Sequence, residues 1–440
     1  MSGEESLGSR SAGDGPFVPA LLEAGLALLL FAAPLPFGAT GPRGRLAVEL
    51  FALALTAVWS VHALRRETPL PPRWATAGVL GLLAVAFAQL VPWNGAAASA
   101  SPDATASALR TGAALAGTFL VATSVVAWRG GRVLGIALLF SAGFQGLYGL
   151  IVLASGHPYI WGVPKKAYID SATGTFVNRN NFAAYLSAAL PIGVGLIVAA
   201  TRAIRRGSGE RNGVILALGN DGSRAILLGL VAATGLAGLL LSMSRAGTTV
   251  GLAAITATLL VALRRRPWRG IALAAALVAI GAVPLLDIGA DRLAGRFAAS
   301  GDELTTRGGR LDVWRDTIGM AEKHPVLGSG FGSFTWAFAA YRSPAVRLHY
   351  TFAHQDLLQL AAEGGVTSVL LLGLILVPLA RAIAGAIGTR TDPATIGAAF
   401  GLAALLLHAL VDFPFHIPAV ALLGSALAGW MFGASWNRAR

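Results

Sequence analysis

Four groups of residues in this chain have types and spacings that could do chemistry. The first is Arg245, in Leu241-Ser242-Met243-Ser244-Arg245-Ala246-Gly247, which interrupts an apolar stretch from about 225 to 263. A charge in or at the end of a spanning segment is costly and points to function. A lone Arg at the outer turn can also snorkel to the interface, but the surrounding Ser and Gly read as a polar pocket. The second group is Arg310, Trp314 and Arg315, where the alternative is a set of solvated loop charges. The third is His354 in Ala353-His354-Gln355-Asp356-Leu357-Leu358-Gln359-Leu360. On a helix His354 shares a face with Leu357, Leu358 and Ala361 and points inward. A neutral imidazole there suits a general base, and equally a hydrogen-bonded core histidine. The fourth is Thr173 to Phe182, whose Asn178 and Asn181 amides could bind sugar hydroxyls and whose Arg179 could hold a phosphate oxygen. The same amides could cap the following helix.

His408, Asp412 and His416 recur at four-residue steps, the spacing of a metal-binding face, but Pro414 breaks the helix between them, and no metal or other cofactor is expected. The chain has no glycine-rich phosphate loop with Lys, nucleophile elbow, His-Glu-x-x-His or basic face interleaved with aromatics. Its lack of Cys removes disulfides, thiolate metal sites and a Cys nucleophile.

The elements that position these groups follow from composition. Of 440 residues 55% are hydrophobic and 12% charged, about half the charge of a soluble domain, with mean hydropathy +0.67. Disorder, coiled coil and an ordinary soluble enzyme are excluded. Apolar runs long enough to span a bilayer recur at roughly 17–38, 45–64, 74–92, 109–128, 132–154, 181–201, 224–243, 247–263, 269–287, 365–383, 394–412 and 416–433. The expected fold is an all-α polytopic membrane protein of about twelve transmembrane helices. A cytoplasmic tail at 1–16 precedes helices one to nine at 17–287, with a medium outer loop at 155–180. A long periplasmic loop at 288–364, helices ten to twelve at 365–433 and a cytoplasmic tail at 434–440 follow. The long loop is patterned: Leu311, Trp314, Ile318 and Ala321 share one helical face, and Phe331, Phe334, Phe338 and Tyr341 repeat at similar spacing. Two short amphipathic helices are expected there, on the outer leaflet or over a cavity.

The +13 net charge is accounted for by orientation and not by nucleic acid. With the N-terminus inside, about 19 of the 34 Lys and Arg fall in inner segments, and about eight of the rest lie in the long loop, which is exempt from the positive-inside bias.

Taken together, the motifs resemble the O-antigen ligase and polymerase superfamily of bacterial membrane glycosyltransferases. The match runs in order over roughly residues 170–420: Gly174-Thr175-Phe176 with Asn178 and Asn181; Ser244-Arg245-Ala246-Gly247; Arg310-Leu311-Asp312-Val313-Trp314; His324 to Gly332; and His354-Gln355 with Gly365 eleven residues after the His. The last resembles the family's His-[Asn/Ser/Gln]-x9-Gly signature, with Ser368 where Gly, Thr or Tyr is usual.

The resemblance implies a GT-C-like enzyme of the bacterial inner membrane with its active site facing the periplasm. Such an enzyme moves a glycan from an undecaprenyl-pyrophosphate carrier to an acceptor sugar hydroxyl, without a metal ion or nucleotide sugar. The acceptor would be a lipid A-core or a growing glycan, and ligase, polymerase and ligation to a protein side chain remain alternatives. By matching position His354 would be the base, with inversion at the anomeric carbon. Arg245 and Arg310 would grip the pyrophosphate, for which guanidinium forks are suited. Asn178, Arg179, Asn181, Trp314, Arg315 and Gln355 would contact substrate. The alternative class is a polytopic transporter or channel for a lipid-linked or anionic solute. The absence of duplicated halves and of paired carboxylates within the spans argues against it.

Overall fold

A computed structural model describes residues 17–93, 96–207, 220–266, 309–389 and 391–439, with scattered residues between 268 and 281. The described helices are α1 (Phe17–Ala32), α2 (Pro42–Arg65), α3 (Arg73–Ala88), α4 (Pro102–Arg129), α5 (Arg132–Ala154), α6 (Arg179–Gly207), α7 (Asn220–Leu241), α8 (Arg245–Ala262), α9 (Arg310–Lys323), α10 (Phe334–Ala337), α11 (Asp356–Gly388), α12 (Pro393–His408) and α13 (Pro418–Ala439). Two hairpins of two-residue strands are the only strand pairings among the described residues. The all-α polytopic expectation therefore holds.

Eight helices among the described residues are long and apolar enough to cross a membrane: α2, α4, α5, α6, α7, α8, α11 and α13. The expected count was twelve. Helices α1, α3 and α12 are apolar but have 16 residues each, about 24 Å of helix against a hydrocarbon core of about 30 Å. The expected span at 269–287 lies largely outside the described residues, as do the N-terminal tail and residues 288–308.

Helix α6 is the axis of the bundle and is buried along almost its whole length. Small residues let neighbours approach its backbone, as is common between membrane helices. A Cβ at Gly397 or Gly401 of α12 would collide with the carbonyl of Pro191 or Ala188, which runs α12 antiparallel to α6. Gly247 and Gly251 of α8 face Ala183 and Ser187, which runs α8 parallel to α6. The starts of α6 and α8 and the end of α12 thus share one end of the bundle.

The other end is basic. Arg129 pairs with Glu23, Arg202 donates to the Ala262 carbonyl, Arg264 to those of Ile387 and Gly388, and Arg438 to that of Ala382. These are the arginines that the charge pattern assigns to inner segments.

At the opposite end the segment from 309 builds a small cap with its own core of Val313, Met320, Phe334, Phe338, Val346, Ala353 and Ala362. The buried face of α9 is Val313, Asp316, Thr317 and Met320, while Leu311 and Ile318 are exposed. The inward polar groups are satisfied locally: Asp316 accepts from the Ser343 amide at 2.8 Å and Thr317 donates to the Val313 carbonyl at 2.6 Å. One expectation needs correction here. The second amphipathic helix is only the single turn of α10 followed by a 3-10 turn, with Phe334 and Phe338 stacked 4.7 Å apart in the cap core.

The cap is joined to the bundle through a break in α11. Gly365 has φ +65° and ψ −174°, inside a helix that otherwise runs to Gly388. The run Pro325 to Gly330 crosses this break: the Val366 amide donates to Pro325, Ser329 to Ala362 and Gly330 to Glu363. A Cβ at Gly328 would meet the Glu363 carbonyl, and one at Gly365 the Val326 carbonyl. Both positions require glycine for its positive φ and for close approach. The two motifs containing Gly328 and Gly365 are two sides of one joint.

Candidate active site

The end of the bundle under the cap holds a cavity of about 570 Å³ lined by Tyr168, Ile169, Asp170, Ser171, Arg179, Asn180, Arg310, Leu348, Tyr350 and His354. Five chain segments supply it, and each is positioned by ordinary local physics. Helix α6 begins at Arg179 because the Asn178 side chain accepts from the Asn180 amide at 2.8 Å, satisfying an otherwise orphaned donor. Asn178 is therefore a cap residue, and its neighbours Arg179 and Asn180 face the cavity. Tyr168 packs under Arg179, whose guanidinium lies 5.0 Å from the ring centroid. In the same loop Lys165 donates to the Ser171 carbonyl at 2.8 Å. Burial lowers its ammonium to about 8, against the opposing pull of Asp170.

His354 is not on a helix as expected. It stands two residues before α11, with φ +56°. His enters this left-handed region more readily than most residues, but it is still uncommon and marks positions that the surroundings hold in place. Gln355 is the N-cap of α11, its side-chain oxygen accepting from the Leu358 amide. The Asp356 amide donates to the Ala409 carbonyl at 2.9 Å, which fixes the start of α11 against the turn after α12. The His354 ring stands edge-on to Phe413 at 4.7 Å and to Tyr350 at 5.9 Å.

The hub of the site is Asp412. Its Oδ1 accepts from the Phe413 amide at 3.0 Å and faces His354 Nδ1 at 3.3 Å. Its Oδ2 accepts from Asn180 Nδ2 at 2.7 Å and lies 3.6 Å from Arg310 Nη2. Arg310 also donates to the Val411 carbonyl at 2.8 Å. Burial would raise the Asp412 carboxyl, but the His354 hydrogen bond and the charges of Arg310 and His408 outweigh it and hold the group below the usual carboxylate range. An ionised carboxylate only accepts. The facing His354 Nδ1 must then carry the proton, which leaves Nε2 as the basic nitrogen.

A second pair lies behind this one. His416 Nδ1 meets Asp356 Oδ1 at 2.6 Å, and Asp356 Oδ2 accepts from the Phe415 amide at 3.0 Å. Stacked Phe352 and Phe413, 4.4 Å apart, separate the two histidines. His416 borders a different cavity of about 880 Å³, together with Arg45, Gln359 and Glu363. The His408, Asp412 and His416 series is thus divided: Asp412 serves His354, His416 serves Asp356, and both His408 ring nitrogens are buried without a hydrogen-bond partner. Among the described residues no group of three or more His, Asp or Glu is placed to hold a metal ion.

Of the residues singled out from the sequence, the cavity brings together His354, Arg310 and Arg179. Arg245 starts α8 at the same end of the bundle, behind the Ser244 cap, and is not part of this lining. Asn181 is buried within the bundle, with its Oδ1 unpartnered. Trp314 and Arg315 are not part of the cavity lining, and Arg315 is 79% exposed and paired with Asp312 at 3.3 Å. Sequence reasoning missed Asn180, Tyr168 and Tyr350, and left Asp412 without a role. The one available signal for Asp412 was a carboxylate held in a turn between two apolar runs.

No curated protein matches the chain. A family model described as O-antigen ligase matches residues 214–373, a little over a third of the chain, and this stretch contains Arg245, Arg310 and His354. Residues 214–373 therefore match the O-antigen ligase domain within an all-helical polytopic frame, which supports the O-antigen ligase and polymerase superfamily that the motifs resemble.

Proposed function

We propose that the cavity at His354 transfers a glycan from a polyprenyl-pyrophosphate carrier to a sugar hydroxyl of an acceptor. The observation that carries this reading is the arrangement around Asp412, where one ionised carboxylate meets both His354 and Arg310 at the edge of one cavity. His354 Nε2 takes the proton of the acceptor hydroxyl as its oxygen bonds to the anomeric carbon. The anomeric carbon–oxygen bond to the carrier breaks from the opposite face, with inversion, and its electron pair leaves on the pyrophosphate. Arg310 and Arg179 hold that departing charge, where guanidinium donors in a partly buried site are stronger than in water. Arg245, at the start of the neighbouring α8, adds positive charge at the same end. Asp412 keeps the His354 ring in the productive tautomer and stabilises the imidazolium that forms, the part played by the carboxylate in other carboxylate–histidine pairs.

The site would face the periplasm, since the arginine-rich opposite end suits the cytoplasmic side. Ligation to a lipid A-core and polymerisation onto a growing chain use the same chemistry and differ in what occupies the acceptor position.

The test is incubation of purified full-length protein with a defined undecaprenyl-pyrophosphate oligosaccharide and, separately, lipid A-core or a second lipid-linked oligosaccharide. One acceptor should become glycosylated, and His354→Ala should slow transfer about 10²- to 10⁴-fold. Transfer at the parental rate by a folded His354→Ala protein would remove the assigned base.

A further inference from the structure

The basic end of the bundle contains a cavity of about 1090 Å³ that has no part in the proposed reaction. It is bordered by Ala199 and Ala200 on α6, whereas Arg179 on the same helix borders the His354 cavity. Twenty-one residues of helix separate Arg179 from Ala200, about 30 Å at 1.5 Å per residue, which equals the thickness of a bilayer's hydrocarbon core.

Two features of this cavity define its ligand. The first is charge. Arg132 at the start of α5, Arg224 in the first turn of α7 and Arg438 in the last turn of α13 all line it, against the single carboxylate of Asp392. That carboxylate is engaged as the cap of α12, accepting from the Ala394 amide at 3.1 Å. Arg438 donates from Nη2 to the Ala382 carbonyl at 3.4 Å, while its Nη1 is buried with no hydrogen-bond partner. An unsatisfied guanidinium donor beside two further Arg side chains suits a phosphate oxygen. The second feature is the direction of the apolar wall. From Arg132 the lining continues along α5 to Ile136 and Phe140, two turns and about 12 Å further into the spanning region. Phe140 and Leu227, on this wall, are 37% and 50% exposed. A free inorganic anion would use only the arginine end. An amphiphile with a phosphate head and a hydrocarbon chain would use both.

We propose that this cavity is a binding site for an anionic phospholipid, its phosphate on Arg132 and Arg438 and one acyl chain along α5 toward Phe140. The lipid would join the ends of α5, α7, α12 and α13 and fix their spacing at the membrane surface. Its negative charge would complement the net positive lining, as juxtamembrane arginines do with anionic leaflets.

The experiment uses delipidated full-length protein in detergent, with palmitoyl-oleoyl phosphatidylglycerol, phosphatidylcholine of the same chains, and inorganic phosphate as separate probes. Binding is read by native mass spectrometry and by the midpoint of thermal unfolding. Phosphatidylglycerol should stay bound and raise the midpoint, with phosphatidylcholine at least about tenfold weaker and phosphate alone without effect. Arg132→Gln, at an exposed helix-start position, and Arg438→Gln should each weaken phosphatidylglycerol binding severalfold. Equal binding of the two lipids, unchanged binding in folded Arg132→Gln protein, or an equal shift from phosphate alone would each overturn the proposal.

Discussion

His354 and His416 each point Nδ1 at a buried aspartate, 3.3 Å and 2.6 Å away, from opposite sides of one stacked phenylalanine pair. The surroundings of the two carboxylates differ. Asp412 also meets Arg310 and Asn180, so its pair is tied into a cavity that has cations on its wall. Asp356 meets only backbone besides its histidine and lies at the first turn of α11, so its pair fastens the Pro414 to His416 turn to that helix. The same two residue types thus act as a reacting group in one place and as a fastening in the other, and what decides is the third partner of the carboxylate.

The largest expected effect separates the two pairs directly. His354→Ala should lower glycan transfer about 10²- to 10⁴-fold, whereas His416→Ala should leave transfer per folded molecule within a few-fold. A loss as large in His416→Ala would exchange the two roles. Next, Asp412→Asn keeps the size of the side chain but removes the negative charge that holds the His354 tautomer and stabilises its imidazolium. A loss of up to about 10⁴-fold in kcat is expected, as when the carboxylate of another carboxylate–histidine pair becomes an amide. Unchanged kcat in a correctly folded membrane preparation would reduce Asp412 to a structural contact.

Smaller effects concern stability. His416→Gln should lower it by about 1–3 kcal/mol, the typical cost of leaving a buried acceptor unsatisfied, read from denaturation in detergent. The pH dependence should differ between the pairs. Burial alone would lower the His416 imidazolium, but Asp356 and Glu363 raise it above its ordinary 6.5. The contribution of the His416 charge is therefore complete below pH 6.5 and lost as pH rises through the raised value. Asp412 is held below its ordinary 3.8, so its contribution is complete above that pH and lost only as pH falls through the lowered value. The stability difference between His416→Gln and the parent should therefore narrow as pH rises through that value. Divergence there would contradict the assignment. The smallest expected effect is that of Arg315→Ala, an exposed side chain paired within its own helix, which should change stability by less than about 0.5 kcal/mol and leave transfer intact.

Much of the frame was legible in the residues. Arg at the inner segments, Pro and capping residues at helix starts and the apolar runs are local signals, and helices stand where eleven of the twelve runs were read, three of them shorter than a span. The expected boundary between loop and span at residue 365 falls on the Gly365 break in α11. The site was legible only in part. Three asparagines follow one another closely at the start of α6, and sequence alone could not say which would cap, which would be buried and which would reach Asp412, because Asn180 and Asp412 lie 232 positions apart. The helical placement of His354 failed for a related reason: the cap at Gln355 and the Asp356 contact with Ala409 end the helix before His354 is reached.

By itself the sequence determined the membrane class, the approximate helix positions, the division of arginines between two ends and the presence of His354 and Arg310 in a loop between apolar runs. These depend on composition and on spacings of a few residues. Only the tertiary structure decided which aspartate serves which histidine. Asp412 and His354 are 58 positions apart and Asp356 and His416 are 60 apart, so both pairings depend on how α11, α12 and the turn after α12 pack. Hydrophobic patterning determines that those elements pack together, but the pairing is selected by backbone contacts such as that of Asp356 with Ala409, which only the folded chain forms.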